Sequence, residues 1–228
     1  MTLKLLVRKA EGKGVFSFLF QASRQLNWKA GQYLAYTLQH PNPDNRGAKR
    51  YFTIASAPFE KEIMLTMRVE SKKGSSFKKA LMKLAEGDIV DAEGPNGSFV
   101  IENPSQEFVF IAGGIGITPF RAILLDLDHK KIPIKGTLLY SNPTPKPAYQ
   151  EELDELSAKH PKFNLRYIVE PSRVTPKTLQ EFIPDLSKKL FYLSGPPAMM
   201  QAIENMLREL LVPSSQIKED YFIGYADV

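Results

Sequence analysis

Along the first hundred residues the apolar positions recur with a period of two. Leu3, Leu5 and Val7 alternate with Lys4 and the nearby Arg8, and Phe16, Phe18 and Phe20 repeat the spacing, as half-buried strands do. Gly31–Thr37, Tyr51–Ala57, Glu62–Glu70, Asp88–Glu93 and Ser98–Glu102 read as further short strands. One helix interrupts them over Ser76–Ala85, with Phe77, Ala80, Leu81 and Leu84 on one face. This spacing of short strands predicts an antiparallel β-barrel.

After Asn103-Pro104-Ser105 the rhythm changes to strands alternating with helices. Strands are expected at Glu107–Ala112, Gly136–Tyr140, Phe163–Val169 and Leu190–Ser194. Helices are expected at Pro119–His129, Tyr149–Lys159, Pro176–Phe182 and Pro197–Leu211, the last with Met199, Ala202, Ile203, Met206 and Leu210 at helical spacing. Such alternation predicts a parallel sheet whose ligand site lies at the carboxyl ends of its strands. The chain therefore divides into a barrel over residues 1–102 and an α/β domain over residues 103–228.

Composition narrows the chemistry. The 228 residues include no cysteine, which removes disulfides, thiolate nucleophiles and cysteine-held iron–sulfur clusters. Of the three histidines, His40 and His160 precede prolines, and none, His129 included, has a metal-like neighbour at short spacing; no metal site is expected. No apolar run approaches the ~18–20 residues of a membrane span. Met1-Thr2-Leu3-Lys4 alternates like a strand rather than opening a signal peptide, so a cytoplasmic protein is expected. The net charge is +5. Lysine pairs at Lys72-Lys73, Lys78-Lys79, Lys130-Lys131 and Lys188-Lys189 read as solvated surface, or as attraction to phosphate-bearing ligands or an acidic partner. No basic stripe interleaved with aromatics points to nucleic acid.

Four segments carry candidate chemistry. The apolar strand ending at Ala112 runs into Gly113-Gly114-Ile115-Gly116-Ile117-Thr118-Pro119. Thr118 suits an N-cap and Pro119 the first helical position, so free amides and the helix dipole would face a diphosphate. A tight strand-to-helix turn without ligand explains the same glycines. Ser194-Gly195-Pro196-Pro197-Ala198-Met199 repeats the arrangement at a second strand end. In the barrel, Arg50-Tyr51-Phe52-Thr53 groups a cation, aromatics and a hydroxyl, with Arg50 and Phe52 on one face and Tyr51 and Thr53 on the other. Gly74-Ser75-Ser76 opens the barrel's helix and offers amides and hydroxyls to a second phosphate contact.

In this order the motifs resemble the ferredoxin–NADP reductase superfamily, in its short bacterial form without an iron–sulfur domain, across essentially the whole chain. The resemblance implies a flavin-binding barrel followed by a nucleotide-binding α/β domain. The expected activity is hydride transfer from NAD(P)H to bound FAD, favoured over FMN, followed by electron transfer to an acceptor. It implies that Arg50 binds flavin phosphate, that Phe52 contacts the isoalloxazine, and that Thr53 sits near N5 as the catalytic hydroxyl. Tyr51, Arg68, Val69, Gly74, Ser75 and Ser76 complete the flavin site. Gly113, Gly114, Gly116, Ile117, Thr118, Pro119, Ser194, Gly195, Pro196 and Met199 hold the pyridine nucleotide, and Gly94-Pro95-Asn96-Gly97 lies between the domains. The chain departs from the family at Phe52, commonly a tyrosine, and at Ser194, often a cysteine. The tail Glu219–Tyr225 is similar to tails that bring an acid and an aromatic to the flavin; Phe222 is the better match and Asp220 the weaker, with a packed terminal strand as the alternative. Lys146 and Arg173 lie where either could reach a 2′-phosphate. Lys72, Lys73, Lys78, Lys79 and Lys83 could steer an acidic electron carrier. A non-catalytic flavoprotein, an electron-transfer subunit of a larger complex and a siderophore-reducing enzyme share this architecture.

Overall fold

The computed structural model describes residues 1–69 and 74–220. Phe222, Lys72 and Lys73 lie outside the described residues. Six strands form the first sheet: β1 (Thr2–Gly12), β2 (Val15–Ala22), β3 (Tyr33–Thr37), β4 (Lys49–Thr53), β5 (Ile63–Arg68) and β6 (Ile89–Asn96). Their order is β4-β3-β6-β1-β2-β5 with every pairing antiparallel. Ala55 N–H donates to the Met64 carbonyl at 2.8 Å, drawing the two edges together just past β4. The period-two residues Leu3, Leu5, Phe18 and Phe20 meet Leu34, Tyr36, Leu65 and Phe77 inside this barrel. A short helix, α1 (Ser76–Leu81), lies between β5 and β6.

The second half builds a parallel sheet from β7 (Phe108–Gly113), β8 (Gly136–Asn142), β9 (Phe163–Val169), β10 (Leu190–Ser194) and β11 (Ile217–Glu219), in the order β11-β10-β7-β8-β9. Helices α2 (Thr118–His129), α3 (Gln150–Lys159), α4 (Pro176–Phe182) and α5 (Pro197–Glu209) cover it. Both faces of β7 are buried. Phe108, Phe110 and Ala112 join the core under α2 and α3, while Val109 and Ile111 join the core under α4 and α5. Burial on both sides is why the segment reads as a continuous apolar run. Among the described residues no helix is long and apolar enough to cross a membrane.

The barrel followed by an α/β domain agrees with the expected fold, with local corrections. Ser98–Glu102 is not a strand. Its alternation serves packing instead: Phe99 inserts into the core of the second domain, with ring centroids 5.7 Å from Phe120 and 5.2 Å from Tyr192. Tyr192 Oη then donates to the Val100 carbonyl at 3.1 Å. The strand expected at Tyr51–Ala57 is Lys49–Thr53; beyond it, the Ser56 hydroxyl and carbonyl are taken up by Glu62 and Trp28 in a turn. Helix α1 stops at Leu81 because the following amides of Lys83 and Leu84 bond three residues back and Gly87 turns the chain at φ 96°. Helix α5 ends before Leu211, which adopts φ 62°, and β11 is an additional strand parallel to β10.

Gly31 lets the linker settle on the barrel. A Cβ there would stand 1.9 Å from the Phe99 carbonyl oxygen. Phe99 is thus held between the halves, and Phe99→Ala is expected to cost about 3–5 kcal/mol of unfolding free energy. Denaturant titration checks this, and a loss below about 1 kcal/mol would contradict the packing role.

Candidate active site at the domain junction

Strand β4 delivers Thr53 to the junction, and β10 delivers Ser194. Because β11 runs beside β10, the Asp220 amide bonds the Leu193 carbonyl at 2.9 Å and its side chain turns toward both. Thr53 Oγ1 donates to Asp220 Oδ2 at 3.4 Å, and Ser194 Oγ donates to the same oxygen at 3.0 Å. All three residues are buried. Burial raises the Asp220 pKa to about 7 against the opposing hydrogen bonds from Ser194 and Thr53. One carboxyl that changes charge near neutrality is therefore shared by the hydroxyls of the two halves.

On the barrel side the alternation along β4 follows the sequence. Arg50 and Phe52 face Phe77, with the guanidinium carbon and the Phe52 ring each 5.8 Å from the Phe77 centroid. Phe52 also stands edge-on to Tyr36. Tyr51 meets the Tyr33 ring edge-on at 5.8 Å, so Tyr51 is the aromatic sharing Thr53's side of the strand. Arg50 is buried and donates to the carbonyls of Arg46, Gly47 and Lys49 and, at 2.5 Å, to Asp44 Oδ1. Asp44 also accepts the Ser76 amide at 3.0 Å, while its own amide donates to Ser76 Oγ at 2.9 Å. Burial would raise the Asp44 pKa, but the Ser76 and Arg46 amides and the Arg50 guanidinium hold it well below the carboxylate range.

Arg50 and the Gly74-Ser75-Ser76 turn are thus brought to one place. Arg50 Nε and Ser75 Oγ are buried there without a hydrogen-bond partner among the described residues. An orphaned N–H of the buried guanidinium together with an orphaned hydroxyl fits the diphosphate of a flavin dinucleotide. Val69 packs on the barrel core and bonds the Gly14 carbonyl at 2.8 Å. Arg68, one residue earlier, extends toward the second domain.

On the nucleotide side the two strand-end turns pack backbone against backbone. A Cβ on Gly116 would stand 2.2 Å from the Ser194 carbonyl oxygen, and one on Gly195 would stand 3.0 Å from Gly113 Cα. Gly113 is closed in by Met199 and Pro196. Gly114 is different: φ is +53°, and the nearest atom to its absent Cβ is Arg68 Nη2 at 4.0 Å. Gly114 therefore opens toward the crevice between the domains, whereas Gly116 serves the contact between the turns. Thr118 is not the N-cap. Residues Gly114–Ile117 already form a 3-10 turn leading into α2, and Thr118 Oγ1 donates back to the Ile115 carbonyl at 3.2 Å. The glycines allow the chain to coil early, so the free amides belong to the turn that starts at Gly114. Ile117 and Pro119 are buried beneath it.

Sequence reasoning missed Arg121. It is 5% exposed on α2, yet it donates to the Ala55 carbonyl at 2.8 Å, to both Glu60 oxygens at 2.9 and 3.0 Å, and to Glu152 Oε1 at 2.8 Å. The signal was present: Arg121 is a lone charge inside the apolar stretch Pro119–Leu125. Asp44 and Tyr149 were also missed. Tyr149 Oη bonds Ser17 Oγ at 3.2 Å and Thr66 Oγ1 across the domain boundary.

A barrel that gathers a cation and phosphate donors, joined to a parallel sheet with paired glycine turns, defines a two-domain flavin and nicotinamide oxidoreductase. Comparison with known proteins agrees. Residues 3–101 match the oxidoreductase FAD-binding domain and residues 110–205 the oxidoreductase NAD-binding domain. The chain thus joins an oxidoreductase FAD-binding domain to an oxidoreductase NAD-binding domain, and its fold is that of the ferredoxin–NADP reductases. It is 30% identical to the reductase component of phenol 2-monooxygenase from Pseudomonas sp. (strain CF600), over 90% of this chain and 60% of that protein. It is 26% identical to a flavohemoprotein from Burkholderia sp. (strain TH2), over 86% of this chain and 52% of that one. The chain thus spans little more than half the length of these relatives. In fold it resembles the FAD/NAD-binding domain of a nitric oxide dioxygenase from Vibrio cholerae, with TM-score 0.82, 23% identity, and coverage of 97% of this chain and 98% of that one. Ferredoxin–NADP+ reductase from Plasmodium falciparum superposes with TM-score 0.83 at 15% identity, covering 97% and 95% of the two chains.

The two glycines separate by experiment. Gly116→Ala is expected to lower stability by about 2–4 kcal/mol, since its methyl meets backbone. Gly114→Ala is expected to cost about 1–2 kcal/mol for its left-handed φ while weakening nucleotide binding at unchanged flavin content. Denaturant unfolding and NAD(P)+ titration of both variants read the difference. Equal effects on binding would remove the distinction.

Proposed function

We propose that this chain takes a hydride from NAD(P)H onto FAD held by the barrel and releases the electrons to a separate acceptor. The observation carrying this reading is the meeting of Thr53 and Ser194, one from each binding motif, on the buried Asp220 carboxyl. FAD when bound supplies the ring that accepts the hydride and releases electrons. Arg50 and Ser75 would bind its diphosphate through their free donors, with Gly74 and Ser76 completing the turn. Tyr51 and Phe52 would flank the ring and ribityl region, and the Thr53 hydroxyl would hydrogen-bond its N5 edge. Gly113, Gly114 and the turn amides would bind the nucleotide diphosphate, with Arg68 supplying charge from the barrel side. Ser194, Gly195, Pro196 and Met199 would border the nicotinamide. Lys146 and Arg173 are exposed in the loops after β8 and β9, at the same end of the sheet, where a 2′-phosphate would fall. Phe222, outside the described residues, is assigned to the ring by resemblance.

Asp220 sets the local charge. Below about pH 7 its carboxyl is neutral, and negative charge arriving in the site meets no repulsion; above it, the carboxylate opposes that charge. Flavin reduction is therefore expected to slow by about tenfold as pH rises through 7, and Asp220→Asn to keep the faster rate throughout. Stability follows the same sign. The folded pKa lies above the unfolded value of ~3.9, so this contribution is complete below pH ~4 and is lost as pH rises toward 7. Stopped-flow pH profiles and thermal melts of both proteins test it. A wild-type profile flat from pH 5.5 to 8.5 would refute the assignment.

Thr53→Ala is expected to slow flavin reduction about ten- to hundredfold while flavin content changes little, the effect of one positioned hydrogen bond. Unchanged kinetics would make Thr53 an ordinary strand residue.

For the acceptor, we infer a small acidic electron carrier or oxygenase component. Lys79 and Lys83 are exposed on and just past α1. Lys78 is committed in part to the Arg68 carbonyl at 3.0 Å. Replacing Lys79 and Lys83 by glutamate is expected to slow transfer to an acidic carrier about tenfold or more at low salt, with the difference fading near physiological ionic strength. Transfer to a neutral dye should be unaffected. Equal rates with every acidic carrier tested would exclude this docking face.

A further inference from the structure

Arg121 stands three residues into α2, the helix that continues directly from the Gly114–Ile117 turn. The residue is 5% exposed, and its guanidinium crosses into the barrel. Nη1 donates to the Ala55 carbonyl at 2.8 Å and to Glu60 Oε2 at 2.9 Å; Nη2 donates to Glu60 Oε1 at 3.0 Å. Ala55 lies two residues beyond Thr53, and Glu60 Oε2 in turn accepts the Ala57 amide at 2.6 Å. The segment after β4 is therefore fastened to this one planar group at two points. From α3, Glu152 Oε1 accepts from Nη2 at 2.8 Å, its Oε2 lies 2.7 Å from Nε as an ion pair outside hydrogen-bond geometry, and the Tyr149 ring lies 5.1 Å from the guanidinium carbon.

We propose that Arg121 is a positioning residue for hydride transfer, fixing the nucleotide-bearing helix against the flavin-bearing strand. This rests on the function proposed above. The contact lies where register matters most, because α2 begins at the nucleotide turn and Ala55 follows the Thr53 hydroxyl. A planar fork with five donors holds a carbonyl and two carboxylates in one orientation; an ammonium is a point charge that cannot. Loosening this joint leaves both binding motifs whole and alters only the approach of donor to acceptor.

The test uses the FAD-loaded protein and compares wild type with Arg121→Lys and Glu60→Gln. Expected for Arg121→Lys is a fall of about 30- to 100-fold in flavin reduction at saturating NAD(P)H, the scale of an ångström's misplacement. The long-wavelength charge-transfer absorbance between nicotinamide and flavin should weaken in parallel. Flavin content and the NAD(P)+ dissociation constant should stay within about threefold, which a merely structural role would not spare while the rate collapsed. Glu60→Gln, which preserves shape and leaves the guanidinium in place, should show the same pattern at about three- to tenfold, and it decides the matter if the lysine variant does not fold. Saturated rates within threefold of wild type, or losses that follow flavin content and melting temperature alone, would overturn the proposal. A wild-type protein that binds no flavin would instead overturn the function on which it rests.

Discussion

A hydride passes only between atoms held about 3–3.5 Å apart, and here donor and acceptor motifs belong to different halves of the chain. Everything else in the architecture answers to the register between those halves. Phe99 leaves the barrel and enters the core of the α/β domain. Tyr149 reaches back from the start of α3 to hydroxyls of the barrel, and Arg121 reaches from α2 to the segment following β4. These contacts mix apolar burial with fixed polar geometry. The apolar part supplies most of the adhesion, while the guanidinium fork supplies direction, since hydrophobic contact alone does not specify orientation.

The same division appears at the site. Burying a carboxyl is costly unless it is hydrogen-bonded or neutral, and Asp220 meets both conditions in part through two hydroxyls and a raised pKa. Its position follows from β11, a three-residue strand whose main chain has little to offer stability. That strand does its work by register: pairing Leu193 with Glu219 sets the next residue beside Ser194. A serine there is compatible with the arrangement because its hydroxyl donates to the carboxyl. A hydroxyl donor from the barrel and another from the sheet thus converge on one carboxyl oxygen.

Much of this was legible in the chain because the signals are local. Period-two phenylalanines give β2, a doubly buried apolar run gives β7, and glycines at strand ends give the turns. Where a local rule had two physical solutions, the sequence could not choose. Ser98–Glu102 alternates as a strand would, yet its alternation is satisfied by Phe99 in another domain's core. Thr118 and Pro119 look like a helix start, yet the preceding glycines coil first. Gly114 and Gly116 are indistinguishable as letters, and only the three-dimensional approach of Ser194 separates a crevice-facing residue from a packing one. Arg121 and Asp44 act through partners far away in sequence or in a loop, which no periodicity encodes. Arg50 was identified as a cation, but its engagement with Asp44 and three carbonyls became visible only in space.

Phe99 has a consequence for biogenesis. The barrel closes with contacts available once β6 has emerged, but the aromatic pocket for Phe99 needs Phe120 and then Tyr192. At about 5–20 residues per second, the ninety or so residues between Phe99 and Tyr192 leave this ring without its final neighbour for about 5–20 s. Throughout that interval a folded barrel trails an aromatic whose pocket is incomplete, a natural handle for a chaperone and a natural nucleus for aggregation if synthesis stalls.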